Sequence, residues 1–358
     1  MPYPPNYGGV IDVFYKIKSL HAIGIKIILH CFKYGREEQE ILNGLCEAVY
    51  YYERKLNPTK LFSSKPFISI TRNHPELLKN LLKDGHPILF EGLHSCFFLD
   101  NNALNQRYKM VRMHNIEWQY YKGLLKGEKS FVKKQYFNWE LKKLKSYESI
   151  LSKADKILTI SGKDQYYYNI RFPEKTILLN CFHKNDTIRR NNETKPFCLY
   201  HGNLSVNENE QAALFLIETF KETNIMICFT GRNPSYLLKE KIKQFPNYSL
   251  IENPSDETLN ELIGTASVNL LPFVIDAGAK IKLLNALFLG NFIISNSNSV
   301  AAFSSLLIEA NSPEEWVEKT NHFMNQKFNE IDLNKRETIL YKKYNNIENA
   351  KIIANLLP

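Results

Sequence analysis

Short apolar runs, the mark of buried strands, alternate along this chain with stretches whose apolar residues recur at helical spacing. A turn-rich loop, Pro2-Tyr3-Pro4-Pro5-Asn6-Tyr7-Gly8-Gly9, leads into a helix over Val10–Ala22 and a strand over Lys26–Phe32. A helix over Glu37–Cys46, a strand over Ala48–Arg54, a helix over Pro75–Lys83 and strands over Pro87–Phe90 and Tyr108–Met113 follow. From Lys122 to Lys156 the pattern is lysine-rich and mainly helical, with Phe137, Leu141, Leu144 and Leu151 on one face. Strands over Lys156–Ile160 and Lys175–Cys181, with a short helix between them, end the first half. A glycine loop like the opening one normally follows a strand. Either the full chain starts earlier, or the first domain lacks a central strand and leaves its neighbours without a ladder partner.

Residues 183–196 are polar and aperiodic and read as a linker. The alternation then restarts with a strand over Phe197–His201 running into Gly202-Asn203-Leu204, and Ser205 with Glu208 reads as a capping box opening a helix to Phe220. Strand Ile225–Thr230 ends in Gly231-Arg232, and Asn233-Pro234 starts the next helix. Strand Ser249–Glu252, a helix over Glu257–Ile263 and a buried strand over Val268–Phe273 come next. A glycine-containing loop then enters a helix over about Ala279–Leu289, stopped by Gly290 before a strand at Phe292. A strand near Leu306–Glu309, a helix capped by Ser312 and one final helix close the chain. The predicted fold is α/β, with two doubly wound, Rossmann-like parallel-sheet domains facing a cleft. Residues 1–182 form the first domain, 183–196 the linker, 197–333 the second domain and 334–358 a C-terminal helix.

Composition narrows the class. With 44% hydrophobic and 23% charged residues, the 358-residue chain is neither disordered nor collagen-like. Six cysteines without Cys-x-x-Cys spacing read as free buried thiols in a reducing, cytoplasmic setting. The run Leu283–Ile308, interrupted by Gly290 and a Ser/Asn cluster, is too polar to span a bilayer and reads as packed core. The net charge of +9 is uneven: Met1–Phe182 holds 28 Lys and Arg against 17 Asp and Glu (+11), and the rest 18 against 20 (−2). A basic half suits an anionic substrate, the anionic inner face of a membrane reached peripherally, or nucleic acid. The acidic balance of the second half and the lack of a nucleic-acid motif leave no nucleic-acid partner expected.

Several residues carry candidate chemistry. In an open α/β sheet, a strand-end loop feeding a helix offers free backbone N–H groups and the positive end of the helix dipole to an anion. Gly202 and Asn203 occupy such a loop in the second half and Gly8 and Gly9 in the first; each also fits an ordinary tight turn. Gly278, Lys280 and Lys282 stand in the loop and first turn before Leu283. Lysine opposes the dipole there, and a bound diphosphate explains it. Two residues apart on a helix, the lysines would not share a face, so one ligand is expected, Lys280 slightly preferred. Asn285, one turn on, offers its amide to ribose hydroxyls or to its own surroundings. His114 follows a strand directly, with Glu91 and His94 at the neighbouring strand end. Trp118, Tyr120 and Tyr121 read as sugar-stacking or core aromatics. The sequence has no Asp-x-Asp, His-Glu-x-x-His or Walker loop, so it predicts neither a metal nor ATP hydrolysis.

Together these residues resemble the GT-B glycosyltransferases, in particular the retaining family called glycosyl transferases group 1. The resemblance covers nearly the whole chain: the Pro-Pro-x-x-Gly-Gly start, His114-Asn115-Ile116-Glu117, Gly202-Asn203-Leu204, Gly231-Arg232, and Gly278 to Leu287 with Gly290. It implies a hexosyltransferase-like, metal-independent enzyme of polysaccharide biosynthesis acting with retention. The enzyme needs no cofactor beyond a UDP- or GDP-linked sugar as co-substrate, and the acceptor is a glycan or a lipid-linked acceptor. It also implies a diphosphate near Gly8, Gly9, Gly202 and Lys280, base and ribose near Arg232, Ile251, Glu252 and Asn285, and His114 with Asn115 beside the sugar. Ala277 and Asn285 stand where the family often carries a glutamate pair. A catalytically silent nucleotide-sugar-binding or scaffold protein is therefore the alternative reading.

Overall fold

Parallel ladders carry the chain. The computed structural model describes residues 1–128, 130–190, 193–274, 280–296 and 301–358. They fall into two units, one holding Met1–Lys184 with Tyr344–Pro358 and the other the described residues between Asn185 and Lys343.

In the first unit, helix α1 (Gly8–Ala22) precedes β1 (Ile28–Lys33), α2 (Glu40–Leu45) and β2 (Ala48–Glu53). After them come α3 (Phe67–Ile70), α4 (Pro75–Leu81), β3 (Ile88–Glu91), β4 (Lys109–Met113), α5 (Glu117–Gly127), α6 (Phe131–Tyr147), β5 (Lys156–Thr159), α7 (Gly162–Arg171) and β6 (Thr176–Leu178). Its strands make two parallel sheets, β1-β2 and β3-β4-β5-β6. Among the described residues, β1 pairs only with β2 and β3 only with β4. The Met1 ammonium donates to the carbonyl of Phe32 in β1 at 3.1 Å. All five residues of β4 are buried, as a central parallel strand requires. Phe90, Val111, Met113, Leu144, Leu151 and Ile157 form the main core here. Each such side chain contributes roughly 1.5–3 kcal/mol by leaving water.

The second unit runs β7 (Lys195–Asn203), α8 (Asn207–Phe220), β8 (Ile227–Arg232), α9 (Tyr236–Lys243), β9 (Tyr248–Glu252), α10 (Asp256–Thr265), β10 (Ala266–Leu271), α11 (Ile281–Leu289), β11 (Phe292–Ser295), β12 (Ile308–Glu309), α12 (Pro313–Met324) and α13 (Glu330–Tyr344). Its six-stranded sheet has the order β12-β11-β10-β7-β8-β9, in which β7 is central and the order reverses beside it. Such a switch point opens a crevice at the strands' carboxyl ends.

Four local expectations are corrected. The final helix is two: Asn345 interrupts it, its side chain accepting the N–H groups of Ile347 and Glu348, so that α14 (Asn346–Asn355) starts afresh. Helix α14 lies in the first unit, where Ala350 and Ile353 join Leu20, Leu179 and Phe182 in a core cluster. Ser205 does not cap α8; Val206 holds the N-cap position without a side-chain bond, and the Ser205 hydroxyl donates to Asn203 Oδ1 at 2.7 Å. Ser235, rather than Asn233-Pro234, starts α9, accepting from the Leu238 N–H. The lysine-rich stretch is two helices, separated after Gly127.

Candidate active site

Strand register gathers the second-unit candidates. Gly202 of β7 lies opposite Gly231 of β8, and Gly231 opposite Glu252 of β9. Asn203 pairs with Arg232 and Thr230 with Ile251, so these residues share the carboxyl edge of three adjacent strands. Gly231 is there for space: a Cβ on it would stand 1.8 Å from the Gly202 carbonyl oxygen. Arg232 is exposed, whereas Glu252 already pairs with Lys239 at 2.6 Å. Asn285 accepts from the Asn185 amide at 2.8 Å. Gly278 lies outside the described residues.

The two lysines meet. Lys280 occupies the N-cap position of α11, before the helix begins, so helical spacing does not separate it from Lys282. Their ammonium groups lie 4.7 and 4.6 Å from the centre of the same ring, Phe273. The expectation that they face apart is corrected by that geometry. Lys282 also lies 5.4 Å from the Tyr200 ring and donates to Asn209 Oδ1 at 3.0 Å. Burial lowers its pKa to about 8, with Lys280 adding to the effect against the pull of Glu208. A desolvated lysine whose hydrogen-bond partner is a neutral amide is prepared to take an anion.

Asn209, unremarked in the sequence, organises this corner. Its amide donates to the Asn203 carbonyl at 2.9 Å, its own carbonyl accepts from the Tyr200 hydroxyl at 2.7 Å, and its side chain packs on Gly202. The signal was its place in the first turn of the helix that follows the glycine loop.

The first unit gathers a second group. His114, just past the end of β4, stands 3.3 Å from Glu91 at the end of β3 and 3.5 Å from Asp12 of α1. Gly9, in the first turn of α1, packs beside it, its Cβ position 3.6 Å from His114 Nδ1. Gly8 opens the same helix. Burial works against a charged imidazole, yet the two carboxylates raise the His114 pKa above its ordinary value. His94 is the opposite case: burial, then Arg72 and His114, hold it well below the usual histidine range. It lies against Gly92, which has φ +80° and no room for a Cβ beside the His94 ring. Asn115 hydrogen-bonds Glu117, whose carboxyl burial raises to about 7.

Asp12, Lys16 and Arg112 were not anticipated. Arg112 forks onto Asp12 at 2.9 and 3.1 Å, Lys16 reaches Asp12 at 3.3 Å and Glu91 at 2.7 Å, and Asp12 also accepts the Phe182 N–H at 2.8 Å. Burial disfavours the Asp12 charge, but Arg112, Lys16 and His114 hold its carboxyl well below the ordinary range. The clue was available: charged residues at apolar-phase positions of α1, and an arginine inside a buried strand. Asp12, Glu91 and His114 have the spacing of a metal-binding trio, and Lys16 and Arg112 already neutralise its carboxylates. Tyr121 is buried, and Trp118 and Tyr120 pack against the same core. Trp118 donates to the Tyr167 hydroxyl at 2.9 Å, which favours core over sugar stacking.

Two parallel-sheet α/β units in one chain, with basic and glycine-lined strand ends, fit the GT-B fold, and comparison with solved structures agrees. Anabaena Alr3699/HepE in complex with UDP and glucose superposes with a TM-score of 0.66 over 96% of this chain and 95% of that one, at 11% identity. S. aureus TarM, in complex with fondaparinux, alpha-GlcNAc-glycerol and UDP, gives 0.58 over 81% of this chain and 58% of its own, at 13% identity. Arabidopsis thaliana UGT89C1 complexed with UDP-L-rhamnose gives 0.57 over 97% and 96%, at 9% identity. In sequence, the chain is 28% identical over 317 residues, 83% of its length and 80% of the other's, to an uncharacterized 44.6 kDa protein in the cps region of Klebsiella pneumoniae. No family model matches.

Proposed function

We propose that this protein is a glycosyltransferase that takes a sugar from a nucleoside diphosphate and passes it to a glycan or lipid-linked acceptor. The observation that carries the reading is Lys282, held beside Gly202 by Asn209 at the carboxyl edge of β7. A diphosphate seated there gains the desolvated ammonium and the N-terminus of α11. The neighbours bound to UDP or a UDP-sugar favour UDP over GDP as the carrier. Arg232, at the end of β8 on the same edge, is our candidate for contact with the nucleoside.

In the proposed reaction the bond from the anomeric carbon to the diphosphate oxygen breaks and the acceptor oxygen bonds to that carbon, through an oxocarbenium-like transition state. The acceptor proton passes to the departing phosphate, with retained configuration and without a metal. Lys282 and Lys280 offset the charge developing on the diphosphate. The first unit offers His114, whose protonated form Asp12 and Glu91 favour against burial, as a candidate donor to sugar hydroxyls.

A second reading has one observation behind it. Ala277 and Asn285 stand where the resembled family often carries a glutamate pair, and Asn285 is already bonded to Asn185, which suits nucleotide-sugar binding without turnover. Calorimetry with UDP and GDP, alongside an assay of UDP release from UDP-sugars with oligosaccharide acceptors, separates the two. Binding with turnover supports the transferase, binding alone the silent protein, and no nucleotide binding removes both.

A further inference from the structure

Helix α6 turns to solvent side chains that a water-facing helix normally buries. Phe131, Val132 and Trp139 are 73%, 76% and 50% exposed. At 100° per residue they lie on the side opposite Phe137, Leu141 and Leu144, which pack into the core. Phe62, 82% exposed, joins them, its ring centre 6.5 Å from that of Trp139. Lys143 donates to the Leu61 carbonyl at 2.6 Å and fixes the Pro58–Phe62 turn against α6.

The charge around these rings is of one sign. From Glu117 to Tyr147 the sequence has eight lysines and three glutamates. Two of those glutamates are buried: Glu117, and Glu140, which accepts the Phe67 N–H at 2.8 Å and pairs with Lys143. Lys60, Lys126, Lys133, Lys134 and Lys142 are exposed. Among the described residues no helix is long and apolar enough to cross a membrane.

We infer that the exposed face of α6, with Phe62, docks on an anionic lipid surface. Solvation accounts for the lysines and not for four exposed apolar side chains among them, while a second copy of so basic a face would be repelled. An anionic bilayer satisfies both features: the rings enter the headgroup boundary and the lysines remain at the phosphates. The inference stands whether or not the transferase reading does.

The test is co-sedimentation of the full chain with vesicles of phosphatidylcholine alone or containing 30 mol% phosphatidylglycerol. Binding to the anionic vesicles only is expected, falling as salt is raised. Lys60→Gln and Lys142→Gln should each lower the partition coefficient about fivefold. Phe131→Ser with Trp139→Ser should lower it at least tenfold with an unchanged melting curve. Brominated lipid should quench tryptophan fluorescence in the natural protein and much less in Trp139→Phe. Absence of binding at low salt, equal binding by the Phe131/Trp139 variant, or self-association or capture of an acidic protein through this face without vesicle binding would overturn the inference.

Discussion

The ammonium of Lys282 is hydrogen-bonded to Asn209, the residue that fills the space over Gly202. Cation and glycine loop are thereby one assembly. Lys282→Gln is expected to weaken UDP binding roughly tenfold to a hundredfold, as loss of a charged partner costs about 1.5–3 kcal/mol. Lys280→Gln should cost less. Calorimetry on both decides, and equal affinity of Lys282→Gln and the natural protein would remove the lysine from the role.

Because burial brings Lys282 to about 8, against about 10.4 unfolded, the unfolded chain binds more protons between those values. This group's contribution to stability therefore rises with pH across that window. Lys282→Met should raise the melting temperature at pH 7, with the gain shrinking toward pH 10. UDP binding at pH 8 should take up protons, read as a buffer-dependent binding enthalpy that Lys282→Met abolishes.

Asp12→Asn leaves Arg112 buried with a neutral partner and Lys16 with Glu91 as its remaining carboxylate, a change of about 3–5 kcal/mol. Denaturant unfolding measures it. The same variant should lower the His114 pKa, followed by NMR of the imidazole. Since Asp12 and Glu91 raise that pKa against burial, the stabilisation by protonated His114 is complete below about pH 6.5 and fades as pH rises through the raised value. The stability gap between natural protein and His114→Gln should close over that range.

Gly231→Ala would place a Cβ 1.8 Å from the Gly202 carbonyl oxygen. Strands β7 and β8 would have to part, at about 1–3 kcal/mol or more. A melting temperature within a degree of the natural protein's would show that the close approach does not matter.

Asn345→Ala removes the cap of α14, at about 1 kcal/mol. A lowered melting temperature is expected, and Asn345→Asp, which can accept the same two N–H groups, should recover most of the loss.

Much of the fold was legible because its strands are apolar runs and its helices periodic. Strand β4 and the α11–β11 unit announce themselves in this way, as does the Ser312 cap of α12, whose hydroxyl accepts the Glu315 N–H. The strand-end glycines and His114 could be placed from the same pattern. What stayed hidden depends on long-range pairing. Asp12 and Arg112 are a hundred residues apart, and nothing local says that one neutralises the other. The two lysines were misjudged because the start of α11 was assigned about two residues too early, at Ala279 rather than Ile281, which turned an N-cap into a helical position. Asn345 was missed because a single polar residue in a long amphipathic stretch looks like surface until its side chain is seen to bond forward.

The position of α14 bears on how the protein is made. Ala350 and Ile353 complete a cluster with Leu20, Leu179 and Phe182, so the half synthesised first cannot close this part of its core until α14 has left the ribosome. The second unit, whose segments all lie between Asn185 and Lys343, carries no such delay. Domains otherwise tend to fold in the order in which they emerge; here the later-made half is free to finish first, while its predecessor keeps an unsealed apolar face until α14 emerges.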